Sequence, residues 1–493
     1  MFLELDGKGP QYAQLARALQ AAIREGRLAR GARLPPTRLL ARDLAVSRTT
    51  VLAAYEQLRA EGHIEGRVGS GSYVAAAPAA AQQETPATEI DPPSRYARRS
   101  RRLQHLLPAG PRHDMRYNLQ YAHPLINPSL NEIWGRELAH AAAHNALEDV
   151  DPQGLPALRQ QICEHLARWR GLVVGPQDVL VTHGAQQAFS LAARVLLDEG
   201  DVAVMDEPHH FGVHHALATH GADLRAIPVD AGGLRCDDLP ATPPRLICVA
   251  PSHPFHGAAM APARREALLR YADDHQCWIL EDDVDAEFRS GTHSSPPLRA
   301  AAGAGRVIHV GSFSRTLLPC ARVGYAVLPA ALRRDFATAK YLDDFACPAI
   351  QQAALAHFME SGGFERHLRL ARKELQARRA VVLEGLRRHT GRQLEVVDSS
   401  AGMYVLAWLR GHDQAFCEAL IAYARSRGLG LHPVAPHCAH PPARPGLLLG
   451  FASLSCAALR EAMQLLGQCL EETRPAPPAL ARAWCGAARF AVS

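Results

Sequence analysis

Residues 30–62, RGARLPPTRLLARDLAVSRTTVLAAYEQLRAEG, read as two helices separated by a short turn. Leu40, Leu44, Val51 and Leu58 supply their apolar faces at helical spacing. Thr37 is placed to cap the first, over about 38–44, and Ser47 the second, over about 48–60, before Gly62 stops it. Upstream, QYAQLARALQAAIRE (11–25) puts Leu15, Leu19, Ala22 and Ile23 on one face and ends near Gly26. Downstream, HIEGRVGSGSYV (63–74) reads as a hairpin with Gly69 and Gly71 at its tip.

Three helices followed by a hairpin make a winged helix-turn-helix. Arg48, Thr49 and Thr50 then fall in the first turn of the helix that would present side chains to base edges and phosphates. Charge supports a nucleic-acid partner at this end. Residues 1–75 hold 11 Lys and Arg against 7 Asp and Glu, residues 76–115 hold 6 against 4, and the remainder 37 against 38.

At 493 residues the chain needs more than one core, and its 47% hydrophobic, 21% charged composition is that of an ordinary soluble protein. The start, MFLELDGKGPQYAQL, lacks the apolar core of a secretory signal, and no apolar run is clean enough to span a bilayer. Eleven cysteines are scattered without metal-ligand spacing, so reduced thiols and a cytoplasmic location are expected, with no metal and no membrane partner. From Ala75 to about Arg112 the composition shifts to Ala, Pro and polar residues without a core pattern, which predicts a linker. Its cluster Arg95, Arg98, Arg99, Arg101 and Arg102 has two readings, contact with DNA phosphates or a solvated run docked on an acidic surface; the second is favoured.

From about residue 117 short apolar runs alternate with helical stretches. VLVTHG (179–184), DVAVMDEP (201–208), RLICVAPS (245–252), CWILEDDVD (277–285) and RVIHVGSF (306–313) predict a mostly parallel sheet within an α/β domain. Residues 351–387 read as a long helical segment. MYVLAW (403–408) and GLLLGFA (446–452) then bring strand character to a final, smaller α+β portion.

Two resemblances arise from these strings. GARLPPTRLLARDLAVSRTTVLAAYEQL followed by GSGSYV resembles the GntR-type DNA-binding module. DPQGLPALRQQI, VTHGAQQAFSLAARVLLDEGD, APSHPFHG, EDDVDAEFR, GSFSRTLLPCARVGYAVLP and GGFERHLRLARKEL resemble a fold-type I, pyridoxal-phosphate-dependent aminotransferase. Together, in this order, they are similar to the MocR subfamily of GntR-type regulators over nearly the whole chain. The resemblance implies a winged helix-turn-helix at 1–75, a linker at 76–115, an aminotransferase-like α/β domain at 116–472 and a tail at 473–493. It implies DNA contacts at Arg38, Ser47, Arg48, Thr49, Thr50 and Gly71.

For the cofactor, the resemblance implies a phosphate cup of Gly184, Ala185, Gln186, Ser312 and Arg322. It places Asp282 against the pyridine nitrogen, with Glu281 and Asp283 leaving the register open, and His210 at the ring-stacking position. The chain departs from the pattern at Ser312-Phe313-Ser314-Arg315, where the family has Ser-Phe-Ser-Lys and the lysine forms the Schiff base. A guanidinium stays protonated and cannot attack an aldehyde, so covalent attachment and transamination are not expected; Arg315 would instead add a cation to the cup. Val284 stands where a Tyr usually contacts the ring hydroxyl, Phe255-His256-Gly257 shortens the family's F-P-T-G, and Leu448 replaces a substrate-binding Arg. Only three lysines occur, Lys8, Lys340 and Lys373, and no motif brings Lys340 to the site.

The expectation is a homodimeric regulator that binds a double-stranded operator. Its aminotransferase-like domain would sense an effector, either noncovalent pyridoxal phosphate or another phosphorylated ligand. The alternatives are an active aminotransferase with a vestigial N-terminus and a dimerisation platform with an empty pocket.

Overall fold

The computed structural model describes residues 6–29, 31–67, 71–75, 94–103, 115–120, 125, 128–144, 151–253, 259–283, 286–289, 296–397, 403–440 and 442–473. The chain divides into two compact units, Met1–Pro92 and Pro93–Ser493.

In the first unit, α1 (Gln11–Arg24), α2 (Thr37–Asp43) and α3 (Arg48–Ala60) precede a hairpin of β1 (Ile64–Arg67) and β2 (Gly71–Val74). Leu15, Leu19, Leu34, Leu40, Val51, Leu58 and Ile64 close one small core. Ser47 caps α3 as expected: its Oγ accepts the Thr50 N–H at 3.0 Å. Thr37 does not cap α2. It is the first helical residue, and Pro36, with φ near −54°, sets the entry without a side-chain bond. In the hairpin Ile64 pairs with Val74 and Arg67 with Gly71, whose φ of +112° suits a residue without Cβ. Gly69 lies outside the described residues.

The second unit opens with a correction to the linker. Residues 95–103 form a helix, α4 (Arg95–Leu103). A short β3 (Tyr117–Asn118), α5 (Pro128–His144) and α6 (Pro156–Arg170) follow. The main sheet is then built from β4 (Val179–Thr182), β5 (Val202–Glu207), β6 (Asp223–Asp230), β7 (Gly233–Leu234), β8 (Leu246–Val249), β9 (Trp278–Asp282), β10 (Val307–Ser312) and β11 (Gly324–Val327). Helices α7 (Gly184–Leu196), α8 (Phe211–His220) and α9 (Pro262–Asp274) connect the strands. Strand order is β4-β11-β10-β9-β8-β5-β6-β7. Strands β10, β9, β8, β5 and β6 run parallel, whereas β11 lies antiparallel between β4 and β10. Near-continuous apolar runs reflect a sheet buried on both faces. Phe189 and Leu191 of α7 cover one face with Leu280 and Val310, and Leu268 of α9 covers the other with Ile247 and Ile279.

The remainder is α10 (Arg333–Asp344), α11 (Ala349–Glu360), α12 (Gly363–His389), β12 (Leu394–Val396), β13 (Tyr404–Leu409), α13 (Gln414–Ser426), β14 (Leu429–Gly430), β15 (His432–Pro433), β16 (Gly446–Gly450) and α14 (Cys456–Glu472). Strands β12-β13-β16-β15 make an antiparallel sheet, and β14 pairs with β3. The long helical segment expected over 351–387 is helical and divides in two at Gly362, whose φ of +70° breaks the run between α11 and α12.

Candidate ligand pocket and DNA-binding surface

Strand β4 ends at Thr182, and the chain turns through His183 and Gly184 (φ +69°) into α7. The first-turn N–H groups of α7, at Gly184, Ala185 and Gln186, have no partner within the helix and carry its positive dipole end. Arg322, held at φ +48°, donates from its guanidinium to the His183 carbonyl at 3.1 Å. A Cβ on Gly184 would stand 3.1 Å from that guanidinium, and one on Gly324 would stand 2.7 Å from the Gly184 backbone. These two glycines therefore let β11 and Arg322 close directly on the helix start.

Ser312 lies opposite Gly324 in the ladder, and its Oγ accepts the Ser314 N–H at 3.2 Å. Ser314 Oγ is buried and meets no hydrogen-bonding partner among the described residues. An orphaned hydroxyl, a helix N-terminus and a guanidinium form a donor set that fits a phosphate. Arg315 follows Ser314 directly and is half-buried.

Gln186 links this cup to the next part of the site. Its amide donates to the Gly212 carbonyl at 3.1 Å, and a Cβ on Gly212 would strike both Gln186 and His210. His210 caps α8: Nδ1 accepts the Gly212 N–H at 3.3 Å, while the ring stands edge-on to Phe189 with centroids 6.0 Å apart.

The acidic triplet at the end of β9 separates by strand alternation. Glu281 accepts backbone N–H groups from Leu298 and Arg299 and pairs with His309. Asp283 takes a bidentate grip from Arg170 at 2.8 and 2.9 Å. Burial acts to raise the Asp283 carboxyl, but Arg170, His309 and Arg289 hold it below the usual range. Asp282 projects to the other face, that of Leu280, against which α7 packs. Of the three, it alone shares a face with the cup helix.

Asp206, at the end of β5, was not anticipated. It is buried, accepts the Ala250 N–H at 2.9 Å and lies within the field of Asp282. A lone Asp at a strand end carries no sequence signal. Gly324 was missed too, although a Gly beside the Arg of ARVGY could have suggested a close backbone approach.

Lys340 is wholly buried, and its ammonium pairs with Asp344 on α10. His183, Asp344 and Cys347 place possible ligand atoms within 4.8 Å of one another, yet Lys340 already supplies a cation there. Leu448 is fully buried in β16, paired with Leu406 and His432. Val284 and Phe255-His256-Gly257 lie outside the described residues.

On the first unit Arg38, Ser47, Arg48, Thr49 and Gly71 are exposed, and Thr50 is half-buried. Ser47 Oγ lies 2.7 Å from the Thr49 hydroxyl and 2.8 Å from that of Thr50, which orients the first turn of α3. Arg33, which the sequence reading did not single out, sits beside the wing: a Cβ on Gly71 would be 3.3 Å from its Nε.

Residues 120–428 match the family described as aminotransferase class I and II, and residues 11–74 match the bacterial regulatory proteins of the gntR family. The chain is 34% identical over 476 residues to the probable rhizopine catabolism regulatory protein MocR of Rhizobium meliloti, covering 94% of this chain and 95% of that protein. It is 30% identical to the HTH-type transcriptional regulator TauR of Rhodobacter capsulatus, over 88% and 90% of the two chains. Among solved structures, α-aminoadipate aminotransferase LysN of Thermus thermophilus, in complex with N-(5'-phosphopyridoxyl)-L-leucine, superposes with a TM-score of 0.64 at 27% identity. That match covers 76% of this chain and 96% of LysN. No helix among the described residues is long and apolar enough to cross a membrane.

Proposed function

The chain belongs to the MocR-type regulators, a gntR-family winged helix joined to an aminotransferase class I and II domain, and from that premise we propose how its large domain works. This DNA-binding transcriptional regulator uses that domain to pair with a second copy and to sense a phosphorylated effector, not to catalyse transamination. What supports this reading is the donor set of Gly184–Gln186, Ser312, Ser314 and Arg322, which fits a phosphate, together with the resemblance, which puts Arg315 in the place of the family's amine.

Pyridoxal phosphate bound there would offer an electron-withdrawing ring. This chain's residues would hold its phosphate, place the Asp282 carboxylate at the ring nitrogen and set His210 beside the ring. None of them supplies a neutral primary amine. Lys340 is buried in an ion pair behind the helix start and leaves the chemistry unserved. Tyr341, Leu342 and Phe345, 49%, 78% and 69% exposed at the end of α10, form an apolar knob suited to a second copy in a cytoplasmic homodimer.

The test is incubation with pyridoxal phosphate, borohydride reduction and intact-mass spectrometry on wild type and Arg315→Lys. Wild type should show saturable binding by absorbance and no trapped adduct, and the variant should gain one. An adduct on wild type would show that another lysine serves, and would restore the aminotransferase reading.

A further inference from the structure

Residues 31–34, which precede α2, run along the outer edge of β2. The Gly31 N–H donates to the Val74 carbonyl at 3.0 Å, the Val74 N–H to the Ala32 carbonyl at 2.9 Å, and the Leu34 N–H to the Ser72 carbonyl at 2.8 Å. Arg33 therefore stands opposite Tyr73 in an antiparallel bridge. Strand alternation turns Leu34 into the core and Arg33 outward, where it is exposed. One residue further on, the Pro35 carbonyl accepts the Tyr55 hydroxyl of α3 at 2.9 Å. The backbone that carries Arg33 is thus held between the wing and the helix whose first turn is offered to DNA.

The side chain reaches along β2 towards the tip of the hairpin. A Cβ on Gly71 would lie 3.3 Å from its Nε and 3.6 Å from its Nη2, so the missing Cβ leaves the guanidinium its seat. Arginines elsewhere in this unit are neutralised: Arg17 pairs with Asp6, Arg27 with Glu25 and Arg42 with Asp43. Arg33 makes no ion pair and donates no side-chain hydrogen bond among the described residues, and in this it stands with Arg38 and Arg48. A planar fork of donors, exposed and already positioned, suits a phosphate oxygen pair.

We propose that Arg33 binds a backbone phosphate of the DNA duplex beside the wing, so that the strand before α2 fixes the wing on its groove. The proposal rests on the DNA-binding reading of the first unit. Such a contact carries no base sequence and releases counterions, so salt dependence reports it. The probe is a random-sequence duplex of about 30 bp, titrated with the full-length chain by fluorescence anisotropy from about 50 to about 250 mM KCl.

Arg33→Gln keeps the stem over Gly71 and removes the charge. It should lower the slope of log affinity against log salt by about 0.9, the value for one phosphate, and weaken binding about fivefold, with an unchanged thermal melt. Arg33→Lys should stay within about twofold of wild type, because a phosphate accepts either cation. Arg59 is the matched control. It is equally exposed and lies over Gly66, on the opposite face of the hairpin by strand alternation, so Arg59→Gln should leave the slope as it is. An unchanged slope in Arg33→Gln, with Arg48→Ala still weakening binding, overturns the proposal and spares the DNA-binding reading. A Lys variant as weak as the Gln variant, or an equal loss in Arg59→Gln, also overturns it, since fit or overall charge would then be at work. If wild type fails to bind the duplex at all, both readings fall.

Discussion

At Asp206 burial and the adjacent Asp282 carboxylate push the carboxyl up to about 7, against the Ala250 N–H that it accepts. The folded value lies above the unfolded one of about 3.9, so the folded chain keeps a proton that the unfolded chain releases. The stability contribution of that proton is complete below about pH 4 and is lost as pH rises through 7. Asp206→Asn preserves the acceptor for Ala250 without the charge. Its stabilisation over wild type should grow between about pH 5 and pH 8, to a few kcal/mol at most. Thermal melts at both pH values check this, and an equal gap would mean that Asp206 is ionised throughout. Arg315 poses the complementary case: that a guanidinium cannot act as the neutral amine of a Schiff base is legible from one letter of sequence. Asp206 could not be read so, because its environment is made by strands far apart in the chain.

Among the elements, α6 and β9 are joined by the Arg170–Asp283 pair, both side chains 4% exposed. A bidentate buried pair contributes little net energy when intact but leaves an uncompensated charge when halved. Arg170→Met should cost about 3 to 5 kcal/mol, seen as a lowered denaturation midpoint of the second unit. Because Asp283 adjoins Asp282, the loss should also weaken pyridoxal phosphate binding by shifting the end of β9. A variant as stable as wild type would show the pair to be dispensable. The element boundaries that the sequence reading missed have simple causes. Pro36 occupies the cap position assigned to Thr37, without a side-chain bond, and Gly362 divides the helical segment by its positive φ. Helix α4 has almost no apolar pattern, and it is held by polar contacts, among them Arg99 on carbonyls of α8 and Arg95 and Arg99 on Glu199.

For the molecule as a whole, pairing of two copies would present two winged helices to two half-sites, as a symmetric operator requires. The apolar knob of Tyr341, Leu342 and Phe345 makes this testable. Leu342→Asp with Phe345→Asp should move a dimer to monomer in sedimentation velocity and weaken operator-length DNA binding by about tenfold or more, through lost bivalency. A double variant that sediments as wild type would place the interface elsewhere.

Local patterns in the sequence were enough to establish the helix-turn-helix with its wing, the alternation of strands and helices, the strand-to-helix turn at Gly184 and the absence of an amine at 315. Each depends on periodicity, turn chemistry or the nature of one side chain, all of which are local. Only the tertiary structure decided which of three consecutive acids shares a sheet face with α7. It also brought Gly324 and Arg322 onto the start of α7, enclosed Lys340 with Asp344, and gave the arginine run a seat. Those outcomes depend on which strands become neighbours and which faces they bury. No local pattern encodes that, because the partners lie tens to hundreds of residues apart.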